Sequence, residues 1–166
     1  MKKWTDRIET PIQAELICYD VNGIQIVFGV TEENELKLFH FSSAPFDAEN
    51  LCRKPDNWWP MEGMREAQIK ESFQLVQVNF SGYNRPYEKH GNKYIVTAPG
   101  FMLKFDSISE ERDETGDVLR IVQKDGVTGA KVESVMQFYD GLSIARMYNT
   151  VTNEGNEDQT LEYISS

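Results

Sequence analysis

The residues best suited to chemistry lie between Ser42 and about Ala67. Asp47, Asp56, Trp58, Trp59 and Arg65 fall there, in a stretch interrupted by Pro45, Pro55 and Pro60. Proline cannot donate to a central β-ladder, so the stretch reads as a loop. Structureless loops of this length are usually functional or make partner contacts. The apolar face of a sugar ring lies flat on an aromatic ring, and carboxylate and guanidinium groups hydrogen-bond to its hydroxyls. The pattern points to a sugar platform in which one of Trp58 and Trp59 is exposed for stacking and the other anchors the loop. Asp56 and Arg65 would contact hydroxyls, and Asp47 is a further substrate-proximal residue at the start of the loop. The competing reading is structural. Both rings could pack under the loop, since large aromatics dominate burial, with Asp56 and Arg65 joined as a surface ion pair.

Other chemistry-bearing residues form no recognisable constellation. His40 and His90 are the two histidines, far apart and without the spaced partners zinc requires. There is no Gly-x-Ser-x-Gly, no P-loop and no dinucleotide fingerprint, so no catalytic residue, metal or cofactor is assigned. Acids are abundant, yet nothing in their spacing singles out a glycosidase pair. Asp125 and Asp140 each precede glycine and read as turn residues. Gly82–Gly91 is polar, aromatic and cationic, which suits either a binding loop or a connection with Arg85 in an ion pair. A net charge of -10 argues against nucleic acid or an anionic membrane as partner. No apolar run follows Lys2 and Lys3, and no window reaches membrane-spanning length. Cys18 and Cys52 are expected to be reduced thiols in a cytoplasmic protein, and the sequon at Asn79–Ser81 to be chance.

The elements that must position these residues are strands. Ile12–Tyr19 and Ile24–Val30 flank Asn22-Gly23, a type I′ turn signal. Glu35–Phe41 alternates. After the proline-rich loop, Ser72–Phe80 resumes a strand. Tyr94–Ala98 and Phe101–Ile108 flank Pro99-Gly100, a type II turn dipeptide. Glu110–Asp117 reads as a solvated charged loop. Leu119–Gln123, Lys131–Tyr139 and Ser143–Thr152 form a meander through Asp125-Gly126, Thr128-Gly129 and Asp140-Gly141. A last run, Thr160–Ile164, starts just before Ser166, as if a sheet were half built. No helix is expected beyond a short turn near Glu62–Ser72. Turns every eight to twelve residues imply an all-β, antiparallel sandwich.

The last third carries a resemblance. Leu119-Arg-Ile-Val-Gln-Lys-Asp-Gly-Val-Thr-Gly129 resembles the Leu-x-Ile-x-Leu-x-Asp-x-x-Thr-Gly run in the N-terminal domain of family 36 glycoside hydrolases, the α-galactosidases. Val135–Arg146 is similar to that family's strand, acidic turn and strand with its arginine. Val151–Gly155 and Leu161–Ser166 are similar to its Thr-Asn-x-Gly and Leu-Glu-x-x-Ser elements, and Glu35–Ser42 to an earlier strand. Gly82–Gly91 departs from the pattern, keeping only an Arg-Pro pair. The resemblance implies that residues 1–166 are a partial β-supersandwich, incomplete at its C-terminal end, which precedes a TIM-barrel catalytic domain. In that family the catalytic aspartates lie on the barrel, so none is assigned here. It further implies α-galactoside sugars as ligands of the parent enzyme and a homo-oligomer in which a loop of this domain helps wall a neighbour's site. The alternative expectation is a stand-alone carbohydrate-binding or protein-interaction sandwich.

Overall fold

The computed structural model describes residues 1–8, 13–49, 51, 73–83 and 98–165. Among these residues the chain is almost wholly antiparallel β structure, as the turn spacing implies. It divides into two units, Met1–Leu75 and Val76–Ser166.

The first unit is a meander of β1 (Lys2–Ile8), β2 (Ala14–Val21), β3 (Ile24–Thr31) and β4 (Leu36–Ser42), in that spatial order. The sequence pattern does not announce β1, because its charged residues do not alternate with apolar ones. An edge strand tolerates such charge, which discourages pairing with other chains. Asn22 and Gly23 close the β2–β3 hairpin with φ of 50° and 81°, the two positive values a type I′ turn needs. The regular alternation expected for β4 is interrupted by a bulge. Val27 pairs with His40 and Phe28 with Leu38, so Phe39 has no partner across the ladder. Phe39 instead turns into a buried cluster with Ala14, Leu16, Cys18, Val27 and Leu51. It meets Phe73 edge-to-face at 5.6 Å. Gly29 makes room for it, since a Cβ there would lie 2.1 Å from the Phe39 ring.

The second unit contains β5 (Val78–Phe80), α1 (Ala98–Met102), β6 (Lys104–Arg112), β7 (Asp117–Lys124), β8 (Ala130–Tyr139), β9 (Leu142–Asn153) and β10 (Leu161–Ile164). One sheet has the order β6-β7-β8-β9, and β10 pairs with β5 in a separate ladder. Three sequence expectations are corrected here. Pro99-Gly100 sits inside the short helix α1 rather than in a turn between two strands. Proline fits there because the first turn of a helix needs no N–H from it. The strand expected from Phe101 therefore starts only at Lys104. The charged loop shrinks to Asp113–Gly116, because Glu110–Arg112 continue β6 with exposed side chains on a sheet edge. Of the run Ser72–Phe80, residues 73–80 are described; they are divided between the units, and among them only Val78–Phe80 is a strand. The strand expected at Tyr94–Ala98 lies mainly outside the described residues, as does most of Gly82–Gly91.

Alternation builds the core of this unit. Leu119 and Ile121 on β7, and Val132, Ser134, Met136 and Phe138 on β8, are buried along one face. The β5–β10 ladder covers one end of that face. Val78, Phe80 and Leu103 pack on Ala130 and Val132, with Val151 and Ile164 at the margin. Each such aliphatic or aromatic side chain contributes about 1.5–3 kcal/mol. Glu162 on β10 clasps the ladder by accepting from Asn79 Nδ2 at 2.9 Å and Ser81 Oγ at 2.7 Å. Asn79 is buried and its amide is engaged, so the sequon offers no glycan site in the folded unit.

Candidate functional site

Two turns meet in the second unit and enclose a cleft. Lys124 and Lys131 stand directly opposite each other on β7 and β8. The connection between them folds around one buried carboxylate, that of Asp125. Its Oδ1 accepts from the Val127 N–H at 2.8 Å. Its Oδ2 accepts from the Thr128 N–H at 3.1 Å and the Thr128 hydroxyl at 2.6 Å. The Thr128 oxygen in turn accepts from the Ala130 N–H at 3.2 Å. Gly129 donates its N–H to the Asp125 carbonyl at 3.0 Å and adopts φ of 74°.

The second turn follows β9. Asn153 Oδ1 accepts from the Gly155 N–H at 2.9 Å, and Asn153 Nδ2 donates to the Glu157 carbonyl at 2.7 Å. The Glu154 N–H donates to the Gly129 carbonyl at 2.8 Å, which ties the two turns together. Their backbones are in such close approach that a Cβ on Gly129 would lie 2.4 Å from Gly155 Cα. The cleft beside them has a volume of about 520 Å³. Tyr83, Lys124, Glu154, Asn156, Glu157 and Gln159 complete its lining.

Electrostatics favours fixed charge here over proton transfer. Two lysines opposite each other across a ladder repel. Glu154 relieves this, with Oε1 3.2 Å from Lys131 Nζ and Oε2 3.5 Å from Lys124 Nζ. The hydrogen bond from Lys131 is the main reason the Glu154 carboxyl is held below the usual carboxylate range. Desolvation opposes it, and the charge of Lys124 adds to it. At the other end of the sheet Asp113 is lowered too, chiefly by the hydroxyl of Thr115 at 2.7 Å, helped by the backbone N–H of Thr115. Both shifts run opposite to what a general acid needs near neutral pH. The aspartate of the other hairpin, Asp140, accepts from Arg112, which also reaches Asp117 at 3.0 Å. The arrangement can hydrogen-bond a neutral polar molecule. Among the described residues no group of three or more His, Cys, Asp or Glu side chains is arranged to hold a metal ion. None of the helices described is long and apolar enough to cross a membrane.

Of the site residues expected from sequence, Asp47 alone is described. It is exposed, and its Oδ1 accepts from the Glu49 N–H at 3.0 Å, a turn-forming contact. The start of its loop is stitched to the first unit. The Phe46 N–H donates to Gln25 Oε1 at 2.6 Å, and the Phe46 ring lies 5.6 Å from His40. His40 itself is a satisfied strand residue, its Nε2 2.8 Å from the Ala44 carbonyl. Cys18 is buried in the apolar cluster of the first unit. Asp56, Trp58, Trp59, Arg65 and Cys52 lie outside the described residues.

The cleft residues Lys124 and Glu154, and Lys131 beside them, are not singled out by the sequence, in which the two turns stand apart. A signal was present. Pairing β7 with β8 across the Asp125–Gly129 turn sets Lys124 against Lys131, and such a pair demands a nearby carboxylate. No family model, no curated protein and no solved structure matches this chain.

Proposed function

We propose that this chain is a non-catalytic β-domain of an α-galactosidase-like glycoside hydrolase, the partial supersandwich that precedes a TIM barrel. On this reading the acid and nucleophile belong to the barrel, and the domain serves carbohydrate metabolism in the cytoplasm as part of a homo-oligomer. One observation supports it best. The Asp-x-x-Thr-Gly and Thr-Asn-x-Gly runs that carry the resemblance interlock through the Glu154–Gly129 hydrogen bond and the close approach of Gly129 to Gly155. They therefore act as one unit and not as two independent strand–turn–strand coincidences. The test has two arms. Pure chain should not hydrolyse a nitrophenyl α-galactoside, while the product of the complete reading frame should. Turnover by the pure chain that is lost on mutating one of its aspartates would overturn the proposal.

The polar cleft favours a second reading, a carbohydrate-binding module that works alone. Calorimetric titration of the chain with galactose and raffinose separates the two. Saturable binding that is lost in Tyr83→Ala, together with a stop codon after Ser166, supports the module.

A further inference from the structure

The two edges of the β6-β7-β8-β9 sheet differ in chemistry. β6, Lys104–Arg112, carries Lys104, Asp106, Glu110, Glu111 and Arg112, and its pairing is bulged between Phe105 and Ser107. Charge and bulges are the usual means of keeping a sheet edge from pairing with another chain. β9, Leu142–Asn153, spans 12 residues with Arg146 as its sole charge and no glycine or proline. Among the described residues no strand lies on its outer side. Leu142, Ile144 and Tyr148 are 51%, 54% and 42% exposed on one face of it.

We infer that β9 is a self-pairing edge, which joins a second copy of this chain in an antiparallel, two-fold symmetric ladder. Four arguments select that occupant. On a chain with net charge -10, β9 is a long stretch without acidic side chains, so two copies meet there without repulsion between carboxylates. A two-fold axis at Met147 sets Arg146 of each copy opposite Tyr148 of the other. That pair is already compatible, since the Arg146 guanidinium lies 5.7 Å from the Tyr148 ring within one strand. The same axis sets Ile144 opposite Thr150, so no like charges face each other. Finally, an edge about 40 Å long, at ~3.4 Å per residue, with side chains on both faces, buries on the order of 1,000 Å² in total, the lower end for a specific interface. The inference rests on β9 alone and is independent of the galactosidase reading.

Sedimentation equilibrium of the chain tests it. The expected result is a monomer–dimer equilibrium in the micromolar range. Tyr148→Lys sets lysine against Arg146 twice and should weaken the dimer by about tenfold or more. Tyr148→Glu sets a carboxylate there and should keep or tighten it. Amide exchange of the parent chain should slow across β9 as concentration rises, which tests the inference even where a variant does not fold. A monomer at all concentrations overturns it. So does a dimer indifferent to Tyr148→Lys, growth beyond dimers, weakening by Tyr148→Glu equal to that by Tyr148→Lys, or β9 exchange independent of concentration.

Discussion

Replacing Gly129 by alanine separates turn geometry from every other contribution to the second unit. The residue adopts φ of 74°, and its added methyl would lie 2.4 Å from Gly155 Cα and 2.5 Å from Gly155 N. Holding an L-residue in the left-handed region costs about 1–2 kcal/mol. The overlap is with backbone and cannot be relieved by turning a side chain. The Asn153–Glu157 turn must move away, which weakens the 2.8 Å bond from Glu154 N–H to the Gly129 carbonyl, a loss of about 0.5–1.5 kcal/mol. The total is about 1.5–3.5 kcal/mol. With a urea m-value of about 2 kcal/mol/M, the unfolding midpoint should fall by about 1–2 M. Gly155→Ala is the internal control. Its Cβ would meet Asn153 Oδ1 and the Thr128 carbonyl at 3.1 Å, outside the left-handed region, and a few tenths of an ångström of movement relieves both. With no left-handed strain and only small movements needed, it should cost about 1 kcal/mol or less, the low end for a tight contact. Urea unfolding followed by circular dichroism reads both variants. The reasoning fails if the Gly129→Ala midpoint stays within about 0.3 M of the parent, or if Gly155→Ala is the more damaging of the two.

Gly29→Ala should also destabilise, by about 1–3 kcal/mol, because its methyl would lie 2.1 Å from the buried Phe39 ring; an unchanged melting temperature would show that Phe39 moves aside freely. Asp113 is held below the usual carboxylate range, so its stabilising contribution is complete above the unfolded-state pKa and is lost as pH falls through the lower folded value. Asp113→Asn should therefore flatten the fall in urea midpoint on going from about pH 5 to pH 3, and equal slopes would refute the assignment. If the α-galactosidase-like proposal holds, Trp58→Ala or Trp59→Ala in an enzyme that contains this chain should weaken galactoside affinity at unchanged melting temperature. A lowered melting temperature for both, with unchanged affinity, would make the loop structural.

What could be read from sequence followed from local chemistry with one solution. Asn22-Gly23 admits the type I′ hairpin and little else. The alternation of Val132, Met136 and Phe138 fixes which face of β8 is buried. What could not be read depended on partners far along the chain or on edges. β1 is a strand because β2 offers it a ladder, and its own residues carry no periodic signal. Phe39 leaves the β4 alternation because Gly29 on the neighbouring strand opens a space, a relation no single-strand pattern contains. Pro99-Gly100 fits a turn and a helical first turn equally well, and the burial of Leu103 accompanies the helix. The cleft was missed for a similar reason. Lys124 and Lys131 are ordinary surface charges until the β7–β8 pairing sets them opposite each other and the turn after β9 brings Glu154 to both.

The residues that carry the family resemblance are, on their geometry, residues of turn closure. Asp125 uses both carboxylate oxygens on Val127 and Thr128, Thr128 uses its oxygen on Ala130, and Gly129 is demanded by its dihedral and by Gly155. Such a motif constrains which fold a sequence adopts far more tightly than which substrate a protein handles. Activity-bearing residues obey the opposite rule, because a side chain that must reach a ligand cannot also spend its polar atoms on the backbone beside it. Asp47 is already partly spent, on the Glu49 N–H. On the α-galactosidase-like proposal a substrate role would fall to Asp56, Trp58, Trp59 and Arg65, and on the module proposal to Tyr83 and its neighbours around the cleft. Variants of the two groups distinguish the α-galactosidase-like reading from the independent module. In the first, galactoside affinity of the parent enzyme follows the tryptophans and ignores Tyr83→Ala. In the second, sugar binding by the chain alone follows Tyr83 and ignores the tryptophans.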